Sequence, residues 1–150
     1  MKSIVKIATA VALVFLLMGI ACATDINNLK VPDKWESIGG GSYHEIGDSH
    51  GAGSGRNMMI QKMTDSIKED YFNNHTDENY YVFSNGDDTF NYTDGDNKDY
   101  GCFEVVNIDG TDYFVVFSTN VNYEFDKDTV SGYDLMLEFN KLNNLKPVAV

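Results

Sequence analysis

The apolar positions of this chain change period along its length, and each change marks an element. Residues 101–108 and 111–118 are two mainly apolar runs on either side of Asp109-Gly110. That two-residue connection accepts positive φ, so the stretch predicts a β-hairpin. With Asp109 and Gly110 at the centre of the turn, Ile108 faces Thr111, Val106 faces Tyr113 and Cys102 faces Phe117. One face then carries Cys102, Val106, Ile108, Tyr113, Val115 and Phe117, and the other Phe103, Val105, Phe114 and Val116. Two apolar faces place the hairpin at the centre of a sheet covered on both sides. Glu104 interrupts the first face and requires either solvent or a hydrogen-bonding partner.

The flanking patterns are shorter. Ile60, Met63, Ile67 and Tyr71 follow helical spacing and predict an amphipathic helix over residues 57–72. Residues 80–84 and 89–93 read as strands joined by the turn Asn85-Gly86-Asp87-Asp88. Residues 35–38 and 43–46 read as short strands around Gly39-Gly40-Gly41, and residues 120–125 as a further extended segment. Residues 47–56 form a loop on their glycine content. Ser131 with Asp134 resembles a capping box and opens a helix to about residue 144, with Leu135, Phe139 and Leu142 on its buried face. Pro147 prevents its continuation. No regular strand–helix–strand alternation is present. The pattern therefore predicts a single α+β domain, an antiparallel β-sheet of about four to five strands with two amphipathic helices.

The beginning of the chain has a different character. Lys2 and Lys6 precede an almost wholly apolar run over residues 7–20, and Ala21-Cys22-Ala23 offers a small-x-small processing pattern. This reads as an export signal. A retained N-terminal anchor, or a lipoprotein modified at Cys22, are the alternatives, although Gly19 stands where a lipobox has Leu. The expected division is a signal peptide over 1–23, a polar N-terminal segment over 24–34 and a secreted domain over 35–150.

Charge narrows the choice of partner. The chain carries 23 acidic and 11 basic residues, a net charge of −12. Two of those bases lie in the leader and all the acids beyond it, so the mature chain would carry −14. Such a field repels phosphate backbones and anionic lipid, which disfavours nucleic acid and peripheral membrane binding. It suits cations or a basic partner. Beyond the leader, Cys102 is the sole cysteine, so the mature chain has no internal disulfide. A lone strand cysteine beside Phe103 reads as a small buried hydrophobe.

Candidate chemistry is sparse. His44 and His50 flank Glu45 and Asp48, ligand types that zinc or copper accept, but they lack the tight spacing of a structural site. Asp94, Asp96 and Asp99 offer hard oxygens for weak calcium binding, yet Lys98 occupies the third ligand position of an EF-hand loop. Gly51-Ala52-Gly53-Ser54-Gly55 has neither the GxGxxG spacing nor the GK[ST] of a phosphate loop. Ser42 lacks a nucleophile elbow, and no catalytic residue is assigned. No cofactor is implied. Asn74 (Asn74-His75-Thr76) and Asn91 (Asn91-Tyr92-Thr93) are glycosylation sequons.

The hairpin over residues 101–116, the opening over residues 31–44 and the Asn-rich close FNKLNNLKPVAV (residues 139–150) resemble small exported, uncharacterised proteins of methanogenic archaea. The resemblance implies export and an α+β fold and brings no activity, cofactor or catalytic residue. The expectation is a non-enzymatic secreted or cell-envelope protein acting as a binding module toward an unknown envelope or extracellular partner. The rival is a secreted hydrolase whose site, drawn from groups such as His44, His50 and Glu104, assembles only in three dimensions.

Overall fold

A computed structural model describes residues 25–46, 56–73, 79–95, 99–120 and 132–150. After a single 3-10 turn (Ile26–Asn28), the described chain forms β1 (Trp35–Gly39), β2 (Ser42–Glu45), β3 (Arg56–Lys62), helix α1 (Asp65–Phe72), β4 (Tyr80–Ser84), β5 (Thr89–Asp94), β6 (Asp99–Ile108), β7 (Thr111–Asn120) and helix α2 (Gly132–Asn143). The strands make one antiparallel sheet in the order β1-β2-β3-β7-β6-β5-β4. This is an α+β fold, with seven strands rather than four to five.

The central hairpin has the expected register, Ile108 opposite Thr111 and Cys102 opposite Phe117. Asp109 and Gly110 adopt φ of 50° and 81°, the two positive values that a type I′ turn requires. Asn107 closes the turn by accepting the Gly110 N–H at 3.0 Å. Its two faces start two cores. Cys102, Val106, Val115 and Phe117 pack with Met58, Ile60 and the α2 residues Leu135, Met136 and Phe139. On the opposite face Phe103, Val105, Phe114 and Val116 pack with Ile67, Tyr71 and Phe72 of α1. Aromatic rings fill this second layer, with Tyr71–Phe114 centroids 4.5 Å apart and Phe72–Phe103 4.9 Å.

The helix expected over residues 57–72 is two elements. Residues 56–62 are strand β3, paired with β2 and, over seven positions, with β7. Arg56, Met58 and Ile60 are buried and the residues between them are not, a period of two that the overlapping helical spacing concealed. The helix begins only after Thr64, whose side chain caps it by accepting the Ile67 N–H at 3.2 Å.

Helix α2 ends as a Schellman motif. Asn144 takes φ of 53°, Leu145 N–H donates to the Asn140 carbonyl at 2.9 Å, and Asn144 N–H donates to that of Lys141. The buried face carries Leu135, Met136, Phe139 and Asn140, while Leu142, expected inside, is exposed. A helix buries only the stripe that faces the sheet, and Leu142 lies off it. Beyond Pro147, Val148 N–H donates to the Val105 carbonyl at 2.8 Å and fastens the C-terminal segment to the sheet. Ser131 and residues 121–125 lie outside the described residues.

Candidate functional site

The chemically unusual part of the molecule lies beneath α2. Glu104 is wholly buried, and its cross-strand neighbours on β5 and β7 are Thr89 and Val115. The partner that it requires is Asn140, whose Nδ2 donates to Glu104 Oε2 at 2.9 Å. Asn140 reaches it because the helix stop fixes the last turn of α2 over β6. At the other end of α2, Gly132 permits close approach. A Cβ there would lie 3.1 Å from the Cys102 backbone nitrogen.

Two buried oxygens of this pair, Glu104 Oε1 and Asn140 Oδ1, lack a hydrogen-bond partner. Both are acceptors while Glu104 is ionised. A proton on the carboxyl supplies a donor to the same pair, so acid and amide can then face each other with two bonds instead of one. The energetics run the same way. Burial raises the Glu104 pKa from 4.5 to about 8, with the Asp87 carboxylate adding to the rise and the Asn140 hydrogen bond opposing it. Glu104 is therefore largely a neutral acid at neutral pH.

Polar groups of β5 and its turn continue the cluster. Asn85 and Asn91 exchange side-chain amide bonds at 2.9 and 3.3 Å, and Asn85 Nδ2 also approaches Cys102 Sγ at 4.0 Å. Asp87 accepts from the Thr89 hydroxyl and, at 2.9 Å, from the Tyr133 hydroxyl. These bonds, the Thr89 one foremost, hold its pKa below the ordinary carboxylate value. Burial pushes the Cys102 thiol up to about 12, reinforced by Glu104 and Asp87. A thiol held protonated under a helix is a poor nucleophile.

The histidine named with this acid stands elsewhere. His44 is on β2, three inter-strand steps from Glu104 on β6, about 14 Å at ordinary strand spacing. Its Nε2 pairs with Glu36 Oε1 across β1 and β2 at 2.7 Å, and its Nδ1 is buried without a hydrogen-bond partner. Neighbouring Glu45 pairs with the buried Arg56 at 3.2 Å. The structure does not bring His44 and Glu104 together, and His50 lies outside the described residues.

The acidic candidates divide in the same way. Asp94 and Asp99 sit opposite each other on β5 and β6, and Asp96 lies outside the described residues. Asp99 Oδ2 accepts from the Tyr92 hydroxyl at 2.8 Å, and burial raises its pKa against that bond. Among the described residues no group of three His, Cys, Asp or Glu side chains could hold a metal ion. Asn91 lies within β5 with its amide committed to Asn85, while Asn74 and the glycine-rich stretch 51–55 lie outside the described residues. An open cleft of about 560 Å³ between the end of β3, the start of α1 and the C-terminal residues is lined by Lys62 and Lys68 against Asp65 and Asp112, a balanced set of charges.

A second feature is on the surface. β4 is the last strand of the sheet, and its central residues Tyr81, Val82 and Phe83 are 54%, 37% and 57% exposed. Scattered exposed hydrophobes are ordinary, but three in succession on an edge strand are not. The sequence marked residues 80–84 as a strand but gave no sign that, among the described residues, it would be the last of the sheet. Among the described residues, no helix is long and apolar enough to cross a membrane. Comparison with family models, curated proteins and solved structures gives no match to the chain.

Proposed function

We propose that this chain is an exported, non-enzymatic binding module that meets its partner through the β4 end of its sheet. The observation that carries the reading is the exposed run Tyr81-Val82-Phe83 on an edge strand. Tyr81 and Phe83 are bare on one face of that edge and Val82 on the other, and apolar side chains exposed at a sheet edge mark an interaction site. The leader pattern over residues 1–23 supports export, and the net charge of −12 supports a partner that is neither nucleic acid nor anionic membrane. The inward placement of Glu104 and Cys102 supports a structural use of this acid and thiol under α2.

The test is binding of the labelled protein to isolated cell envelopes of the source organism. Saturable binding that is lost in Tyr81→Thr/Phe83→Thr, with the melting temperature kept, is expected. Binding indifferent to that change would remove the reading. Hydrolysis of an ester, peptide or glycoside that disappears in Glu104→Gln would replace it with the enzymatic one.

A further inference from the structure

The β4 edge also carries information about what it binds, an inference that rests on the binding-module reading. The hydrogen bonds Asn85 N–H to Thr89 O, at 3.0 Å, and Gly95 N–H to Asn79 O, at 3.0 Å, set the phase of the β4–β5 ladder. In an antiparallel pair the residues that bond inward alternate with those that do not. Odd-numbered residues 81 and 83 therefore spend their backbone groups on β5. Tyr80, Val82 and Ser84 point their N–H and C=O groups outward, away from the sheet. Only an extended strand matches such a row of donors and acceptors.

The two edges of this sheet are built differently. β1 is broken by a register shift between Ser37 and Gly39, ends on three successive positive-φ glycines and carries Glu36. Those are the devices by which edges are kept from pairing. β4 has none of them. Its sequence, Tyr-Tyr-Val-Phe-Ser, has no charge and no proline, and its register with β5 is regular over five pairs.

Charge selects among possible strands. Asp87 and Asp88 stand in the turn at one end of β4, and Asp94 lies opposite Tyr80 at the other. Antiparallel self-pairing about Val82 would match Tyr81 with Phe83 of a second copy. It would also set the Asp87-Asp88 turn of each copy against the Asp94 end of the other, in molecules each of net charge −12. Like charges so placed disfavour a second copy. We infer that β4 accepts an extended apolar segment of another protein, flanked by or alternating with lysine or arginine, as an eighth strand.

The probe is a labelled synthetic peptide of about eight residues alternating Lys and Val, the length of an ordinary strand. Its controls are the Glu/Val and Lys/Pro peptides. Anisotropy should show the Lys/Val peptide binding at least roughly tenfold tighter than either control. Amide exchange at Val82 and Ser84 should slow on binding, while Tyr81 and Phe83, already bonded to β5, change little. Val82→Pro removes one outward N–H without touching the β5 ladder, a substitution that edge strands tolerate. It should weaken the peptide and leave the melting temperature in place.

Equal binding of the Lys/Pro peptide, or binding without protection of Val82 and Ser84, would overturn the inference. So would a dimer at low salt, protected at the same amides without peptide, which would make the occupant a second copy. If the Lys/Val peptide fails but envelope binding is lost in Tyr81→Thr/Phe83→Thr, the strand inference falls and the binding-module reading stands. If that variant keeps its envelope binding, the reading itself falls.

Discussion

Glu104 should make the stability of this protein fall as pH rises from weakly acidic to weakly alkaline. Its carboxyl has the ordinary value of 4.5 when exposed, and burial pushes it up to about 8 in the fold. Below 4.5 both states are protonated and the stabilising contribution is complete. Between 4.5 and 8 the unfolded chain ionises first, so stability is lost with each step in pH, and above 8 the loss is complete. The interval corresponds to about 5 kcal/mol, and relaxation of α2 around the charge brings the loss to about 3–5 kcal/mol. Against a total of about 5–15 kcal/mol for a domain, that is a large share.

Glu104→Gln isolates the effect. The variant keeps the shape, accepts from Asn140 Nδ2 as Glu104 does, and offers an amide N–H to Asn140 Oδ1. Urea unfolding followed by the buried Trp35, the sole tryptophan, at about pH 5, 6.5 and 8.5 is the assay. The two proteins should agree within about 1 kcal/mol at the lowest pH, and the variant should be the more stable by about 3–5 kcal/mol at the highest. Asp99, also raised by burial, titrates in both proteins and cancels in the difference, and Asp87, held low, stays ionised in both across this pH range. Parallel pH profiles for the two proteins would refute the reasoning, because the buried acid would then carry no proton linkage.

Three further perturbations probe the turn, the thiol and the acidic surface. Gly110 has φ of 81° with open space around it, so Gly110→Val should cost about 1–2 kcal/mol from backbone strain alone, read as a lower urea midpoint at unchanged slope. The Cys102 thiol, buried and pushed up to about 12, should ignore a thiol reagent at about pH 8 until urea unfolds the chain; reaction in the native state would show that α2 opens readily. Calcium should raise the melting temperature modestly and sodium at matched ionic strength should imitate most of the rise, as expected of screening. A stoichiometric zinc isotherm lost in His44→Ala or His50→Ala would contradict this.

The parts of the fold legible in the sequence were those whose signal is local. Asp109-Gly110 between two apolar runs specified both the turn and the register of β6 and β7, because a two-residue turn leaves no freedom in pairing. β3 was hidden because Ile60 serves two periods at once, as the first member of a helical series and as the third of the alternating Arg56, Met58, Ile60. Only the neighbours decide between them, and β2 and β7 are supplied by distant sequence. The site divides likewise. That Glu104 needed a partner could be read from an acid on an apolar face. That the partner is Asn140, 36 residues away, could not, since an asparagine in the last turn of a helix looks like any solvated one. Asn140 is buried because it answers Glu104, while Leu142, expected inside, is exposed.

The exposed edge follows from the dimensions of the parts. Seven strands have six spacings and span about 29 Å, whereas α1 and α2, of eight and twelve residues, are about 12 and 18 Å long. Neither helix can cover the sheet, and both sit on its centre, where the apolar hairpin holds them. At the β1 side the shortfall is met by Leu29 and Val31 of the N-terminal segment, packed beside Trp35 and Tyr43. At the β4 side Tyr80 turns into the α1 core, and the next three residues meet nothing comparable among the described residues. A bare apolar edge on a neutral protein would be an aggregation site. Here the excess of acids opposes the approach of a second copy, and the same carboxylates around β4 are those that a basic strand would meet. On the proposed reading, acidity and the unguarded edge have one explanation: the charge that would disfavour pairing with a second copy is also what would make the edge selective for a strand of opposite sign.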